Sequence, residues 1–145
     1  MSAVGDLDRF VRAQDDADTY PRALAELRSG RKTGHWMWFI FPQVAGLGHS
    51  ETSRRYSIAS LSEARAYLDH SVLGPRLLEC VRTVCRLGAR NADTIFGSID
   101  AMKLQSSMTL FMRARPEEPS FAGIIDDYFG GTPDARTDEW LASHP

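Results

Sequence analysis

The sequence is short of the features that would settle its class quickly. Of 145 residues only two are cysteines, Cys80 and Cys85, which excludes a disulfide scaffold. Both fall in one expected helix, where residues five apart point in different directions, so both are expected to be reduced. Cys85 falls on the apolar stripe and is expected to pack there, leaving Cys80 as a weak candidate for reactivity. No apolar run approaches the roughly 20 residues a bilayer-spanning helix needs, so no membrane association is expected. An excess of charge is missing too. Seventeen Lys and Arg against nineteen Asp and Glu leave a net charge of −2, so no positive field advertises nucleic acid. The N-terminal stretch through Arg12 carries Asp6 and Asp8 and no apolar targeting segment, and a cytoplasmic location is the expectation. A Gly-x-Ser-x-Gly elbow, a P-loop and any His or Cys pair at metal-ligand spacing are all absent, so neither metal nor cofactor is expected.

What is present is an ordinary globular composition, 43% hydrophobic and 25% charged, at the length of a single domain. We expect one domain over 1–145 with its ordered core at about 7–141, and a monomer. Leu7, Phe10 and Val11 behind Asp6 begin a short amphipathic helix that ends at the Asp15 to Asp18 cluster. Tyr20, Leu24 and Leu27 continue at helical spacing, with Pro21 in the first turn and Gly30 as the stop. Ser60 and Glu63 have capping-box spacing ahead of Leu61, Ala64 and Leu68. A Leu73–Gly74–Pro75 turn leads to Leu77, Val81, Val84 and Cys85, with Arg76, Glu79, Arg82, Arg86 and Arg90 mainly on the other side and Gly88 closing the helix. Asn91 to Phe96 is a short helix. Ser98 or Asp100 caps a longer one carrying Leu104, Met108, Phe111 and Met112, and Ser120 caps Phe121, Ile124, Ile125, Tyr128 and Phe129. Trp140 and Leu141 mark a last short helix. The expected fold is all-α, a compact array of about six to seven helices with an irregular aromatic and glycine loop after the second.

That loop is the unusual part. Thr33 to Ser50 holds no Asp, Glu, Lys or Arg, and His35–Trp36–Met37–Trp38–Phe39–Ile40–Phe41–Pro42–Gln43 packs four aromatics into nine positions. One reading makes Trp36, Phe39 and Ile40 the centre of a helical core. The other makes the segment a ligand site, with bases stacking on Trp36 or Trp38 and Gln43, His49 and Ser50 supplying polar groups. Permissive backbone at Gly46 and Gly48 would bring amides close to a phosphate or sugar, or serve only a turn. His35 is as compatible with a hydrogen-bonded structural role as with ligand binding; His70 and His144 read as surface residues.

Lys103, Ser106 and Ser107 have i, i+3, i+4 spacing, which puts an ammonium and two hydroxyls on one helix face. Such a face suits phosphate or ribose, and it also suits plain solvent exposure. Glu63 is a capping-box partner or, if its turn faces the pocket, a general acid or base. Tyr56 and Tyr67 are core aromatics or line the same site.

The His35 to Gln43 run, Gly46–Leu47–Gly48–Ser50, Tyr56, Glu63–Ala64, Tyr67–Leu68 and Lys103–Leu104–Ser106–Ser107–Met108–Thr109–Leu110–Phe111 resemble a bacterial family of uncharacterised domains sometimes labelled calpastatin. The resemblance spans Leu7 to Leu141 and implies a compact helical fold with no settled activity. A calpastatin-type inhibitor is disordered and repetitive, and this chain is neither. A more distant similarity is to helical N-glycosidase domains acting on nucleotide or ADP-ribose conjugates, which combine pocket tryptophans, a late-helix lysine and a carboxylate. Two functional expectations follow. In the first, a nucleotide-like small molecule is hydrolysed: Trp36 or Trp38 stacks the base, Lys103, Ser106 and Ser107 hold phosphate or ribose, and Glu63 assists water. In the second, the aromatic segment binds a ligand or protein without catalysis.

Overall fold

The computed structural model describes residues 6–88 and 91–145; the start of the N-terminal stretch and Arg90 lie outside them. The elements run α1 (Asp8–Asp15), a 3-10 turn (Asp16–Asp18), α2 (Thr19–Ser29), α3 (Met37–Ile40), α4 (Glu51–Arg55), α5 (Leu61–Asp69), α6 (Leu73–Arg86), α7 (Ala92–Phe96), α8 (Ser98–Ala114), α9 (Pro119–Phe129) and α10 (Ala135–Ala142). The all-helical expectation holds. Among the described residues the β pairing is a single parallel bridge, Val44 to Ile58.

α8 is the axis of the array, packed by α5, α7, α9 and α10. Its residues Ser106 to Phe111 are all buried, so this helix is enclosed on most sides and has no wide polar stripe. One hydrophobic cluster joins Phe10, Leu27, Ile40, Phe41, Tyr67, Leu77, Val81, Phe111 and Phe121 across the described helices. Tyr67 sits at its centre, edge-on to Phe10 at 5.3 Å and tilted against Phe111 at 5.4 Å. Burial pushes the Tyr67 phenol up and keeps it neutral; its oxygen accepts a hydrogen bond from Gln14 Nε2 at 3.2 Å.

Several local expectations change. The stretch expected to be irregular holds two short helices, α3 and α4, because Ser50 caps the second by accepting from Ser53 N. Leu73, Gly74 and Pro75 form the first turn of α6 rather than a separate turn, since Pro there removes an N–H that has no intrahelical partner. Glu118, not Ser120, caps α9, with Pro119 opening the helix. Cys85 packs against the core as expected, but Cys80, expected as the candidate for reactivity, is fully buried, and burial, reinforced by Glu79, pushes its thiol up to about 12. Cys85 is the more accessible, with Sγ 3.7 Å from the Ser120 carbonyl. The cause is helical phase, for Cys80 shares its buried face with Leu77, Val81 and Val84.

Candidate functional site

The aromatic segment is built from an anchor outward. Glu26, on α2, turns one carboxylate oxygen toward the chain beyond the helix. That Oε1 accepts from Thr33 N at 2.7 Å, Gly34 N at 2.8 Å and the Trp36 indole at 3.0 Å. Burial alone would raise the Glu26 carboxyl, but these donors outweigh it and hold the group below its ordinary value. Gly34 is needed for the close approach, because a Cβ there would sit 2.8 Å from Trp36 Cδ1. Trp36 is 3% exposed, and Met37, Ile40 and Phe41 follow it into the core. The core reading of Trp36 and Ile40 therefore describes the inner half of the segment.

Trp38, two positions on, is only half-buried and lines an open cleft of about 360 Å³. The Lys103 ammonium lies 4.0 Å over its ring, a cation–π geometry. Lys103 also stands 3.3 Å from Asp100 Oδ1, and Lys32 pairs with the other oxygen of Asp100 at 2.8 Å. Lys32 in turn lies 5.0 Å from the Trp36 ring. Two tryptophans, two lysines and one aspartate thus form a continuous ladder from core to cleft.

The opposite wall is Leu47 to Ser50 with Ser53 of α4, held by Ile58 N donating to Gln43 O and Ala45 N donating to Ile58 O, both at 2.8 Å. Gly48 presses against Ser53 so closely that a Cβ would collide with its side chain. The floor and far end come from α8 and the start of α10: Ser106, Asp134 and Arg136 line the cleft with Gln43, Leu47, His49, Ser50, Ile99, Met102 and Gln105. Arg136 Nη2 donates to Leu47 O at 3.2 Å and ties α10 to the loop. Ile99 and Met102, 71% and 63% exposed, form an apolar lip.

Of the expected site residues, the structure brings Trp38, Gln43, Gly48, His49, Ser50, Lys103 and Ser106 together around this cleft. Five others lie elsewhere. Trp36 and His35 border a separate shallow depression beside Thr19, Arg22 and Glu26. Gly46, at φ +89°, is packed by Trp140, whose ring a Cβ would meet at 2.7 Å. Ser107 is fully buried in α8, and its Oγ has no hydrogen-bond partner among the described residues. Positions i+3 and i+4 lie about 100° apart around a helix, so a narrow cleft on an enclosed helix takes only one of the two serines. Glu63, 3% exposed, accepts from Ala59 N at 2.7 Å and faces Arg9 Nη2 at 3.7 Å, while its own N donates to Ser60. It is a capping residue away from the cleft. Tyr56 and Tyr67 do not line the cleft either: Tyr56 packs edge-on to Phe39 at 4.8 Å.

His70 and His144 also leave the plain surface role. His70 Nδ1 accepts from Val72 N and Leu73 N at the start of α6, and His144 stacks flat on Trp140 at 3.7 Å. The residues that sequence reasoning missed are Leu47, Ser53, Ile99, Met102, Gln105, Asp134 and Arg136. Asp134 had a usable signal, since Asp three places before Thr137 has N-cap spacing, but nothing placed that cap against α8.

A wider groove of about 630 Å³ follows α6 past Tyr20, Arg76, Glu79 and Arg82. Most of its polar groups are paired, Tyr20 with Glu79, Arg76 with Asp15 and Arg82 with Glu118, and Arg86 completes its lining. The smaller Trp38 cleft is the better candidate, because it gathers Trp38, Gln43, His49, Ser50, Lys103 and Ser106 from separate parts of the chain around one space. Among the described residues no group of three or more His, Cys, Asp and Glu is placed to hold a metal ion, and no helix is long and apolar enough to cross a membrane.

The chain belongs to the family described as protein of unknown function (DUF1810), whose model matches residues 4–141. It is similar in structure to the conserved hypothetical protein Rv1873 from Mycobacterium tuberculosis, known from a crystal structure. Identity is 52%, covering 94% of this chain and 96% of that one, with a TM-score of 0.91. The resemblance carried by the His35 to Gln43 run is thereby shown, down to a mycobacterial relative. No curated protein matches the chain significantly.

Proposed function

We propose that the chain binds a nucleotide-like small molecule in the Trp38–Lys103 cleft, and that the reaction it serves is hydrolysis of an N-glycosidic bond in a nucleotide or ADP-ribose conjugate. The observation that carries the reading is Lys103 Nζ at 4.0 Å over the half-exposed Trp38 ring, in a cleft of about 360 Å³. With one face of the Trp38 ring taken by Lys103, a base would stack on the other face and its phosphate would meet the ammonium; the volume is in the ordinary range for small-molecule sites. Gln43, Ser50 and Ser106 add polar groups on the facing walls. The reading takes the chain as a cytoplasmic monomer that needs neither metal nor cofactor.

Tryptophan fluorescence and thermal unfolding should be followed while ADP-ribose, NAD and AMP are titrated in. A saturable change that disappears in Trp38→Phe is expected. No saturable response and no thermal shift with any of the three would sink the reading. Chromatography of the bound compounds then reads hydrolysis as release of free base. Binding without release would favour a second reading, a non-catalytic ligand- or protein-binding module, which the capping role of Glu63 and the exposed Ile99 and Met102 lip also support.

A further inference from the structure

The cleft contains a carboxylate that neither the phosphate contact nor the stacking uses. Asp134 lines the wall formed by α8 and the start of α10. Its Oδ2 accepts from Ser106 Oγ at 3.1 Å, Thr137 N at 3.0 Å and Thr137 Oγ1 at 2.6 Å. Among the described residues none of these bonds reaches Oδ1, and no Lys or Arg pairs with the group. The backbone is fixed as well: Asp134 N donates to Thr109 Oγ1 at 2.8 Å, and Gln105 Nε2 donates to Thr132 O at 2.7 Å. The side chain is therefore held through one oxygen, with bonding capacity left on the other.

Capping α10 accounts for Oδ2 and, through the helix dipole, favours a charge there, but it leaves Oδ1 unused. A cap needs one acceptor for Thr137 N, and Asn or Ser supplies it as well as Asp. What Asp adds is a charge, and an ionised carboxylate only accepts. Its ligand partner must then be an O–H or N–H donor. Ser106, which holds Asp134, stands three residues from Lys103 on α8, about 4.5 Å along the helix. One wall thus offers a cation and an acceptor-only group, anchored at Lys103 and at Ser106, three residues apart on α8. A free phosphate would satisfy Lys103 and be repelled by Asp134; a free base would stack on Trp38 and offer Asp134 an amino or ring N–H, but would leave Lys103 without an anion. A sugar phosphate carries both an anion and vicinal hydroxyl donors a few bonds apart.

We infer that Asp134 accepts from the sugar hydroxyls of a ribose phosphate, so that the cleft selects ribonucleotides over deoxyribonucleotides. The inference rests on the nucleotide reading of the same cleft and adds the sugar. A carboxylate reading a ribose hydroxyl is the device dinucleotide-binding folds use on an unrelated scaffold.

The test compares AMP, 2′-deoxy-AMP and 3′-deoxy-AMP binding to the full chain and to Asp134→Asn, read by tryptophan fluorescence. The wild-type chain should bind AMP about tenfold or more tighter than 2′-deoxy-AMP, the effect of a hydrogen bond to a charged group. Asp134→Asn should lose that preference while leaving the weaker analogue's affinity within about twofold. Its thermal unfolding should stay close to wild type, because Asn caps as well. If the Asp134→Asn chain does not fold, Asp134→Ser replaces it as a second capping variant. Equal binding of AMP and 2′-deoxy-AMP by the wild type, or undiminished preference in the variant, overturns the inference and leaves the nucleotide reading standing. No binding of any of the three overturns both.

Discussion

Trp36 and Trp38 stand two positions apart in the same uncharged segment, and the fold uses them in opposite ways. Trp36 is sealed into the core with its indole N–H bound to Glu26, and Lys32 lies 5.0 Å from its ring. Trp38 is half-buried, its ring covered by a lysine at 4.0 Å and bordering a cleft. Each has a lysine beside it, and both lysines share Asp100. What separates them is the short helix α3, which turns successive side chains through about 100°, so one indole enters the core while the other meets α8 at its edge. Aromatic density alone does not mark a ligand site; the partner of each ring does.

The comparison breaks most sharply if the two rings are truncated. Trp36→Ala should cost about 3–5 kcal/mol of stability, through an unfilled cavity and the lost indole hydrogen bond, measured by denaturant unfolding. A loss near that of an exposed site would mean the inner half is not an anchor. Glu26→Ala should cost about 2–4 kcal/mol, because Thr33 N, Gly34 N and the Trp36 indole lose a charged acceptor. The Glu26 carboxyl is held below its ordinary value in the folded chain, so its contribution is complete above the unfolded value and is lost as pH falls through the folded one. Thermal unfolding between neutral and strongly acidic pH should show that loss, and Glu26→Gln should flatten it.

Trp38→Ala should have the reverse signature, costing about 1 kcal/mol in stability for a half-buried ring. It should weaken ADP-ribose binding about tenfold or more, the usual effect of losing a stacked base. If stability fell as far as in Trp36→Ala with binding intact, the assignment of inner and outer halves would be reversed. The smallest effect is expected at Glu63→Gln, about 1 kcal/mol or less, since Gln also serves a capping box. ADP-ribose affinity and any turnover should change by less than about twofold, as expected for a site outside the cleft. A large loss of turnover with binding preserved would return Glu63 to the chemistry.

The amphipathic helices were legible because their spacing repeats locally: the stripe Leu77, Val81, Val84 is buried on α6, and Phe121, Ile124, Ile125 on α9. The same reasoning left Cys80 off the stripe, although it stands three residues from Leu77 and four from Val84 and is buried with them, while Cys85 packs at the edge of the core. For the cleft, Trp38, Gln43, Ser50, Lys103 and Ser106 could be nominated from residue type and spacing, and the structure brings them around one space. Ser107 could not be separated from Ser106, because which of two adjacent serines faces a cleft depends on what packs around α8. Asp134 and Arg136 were out of reach as site residues, for each is about 30 or more positions from Lys103 in sequence and adjacent only after α10 has docked.

The sequence by itself determined the all-α class, most of the helix boundaries, and the presence of one segment too aromatic and too short of charge to be an ordinary loop. These follow from interactions between residues a few positions apart: apolar periodicity, caps and backbone-restricted residues at helix ends. The tertiary structure decided which tryptophan is core and which is wall, that Glu63 commits its oxygens to Ala59 N and Arg9, and that Asp134 stands beside Ser106. Such choices depend on contacts between distant parts of the chain, whose closure is set by the packing of whole helices and leaves no periodic trace in the residues that end up touching.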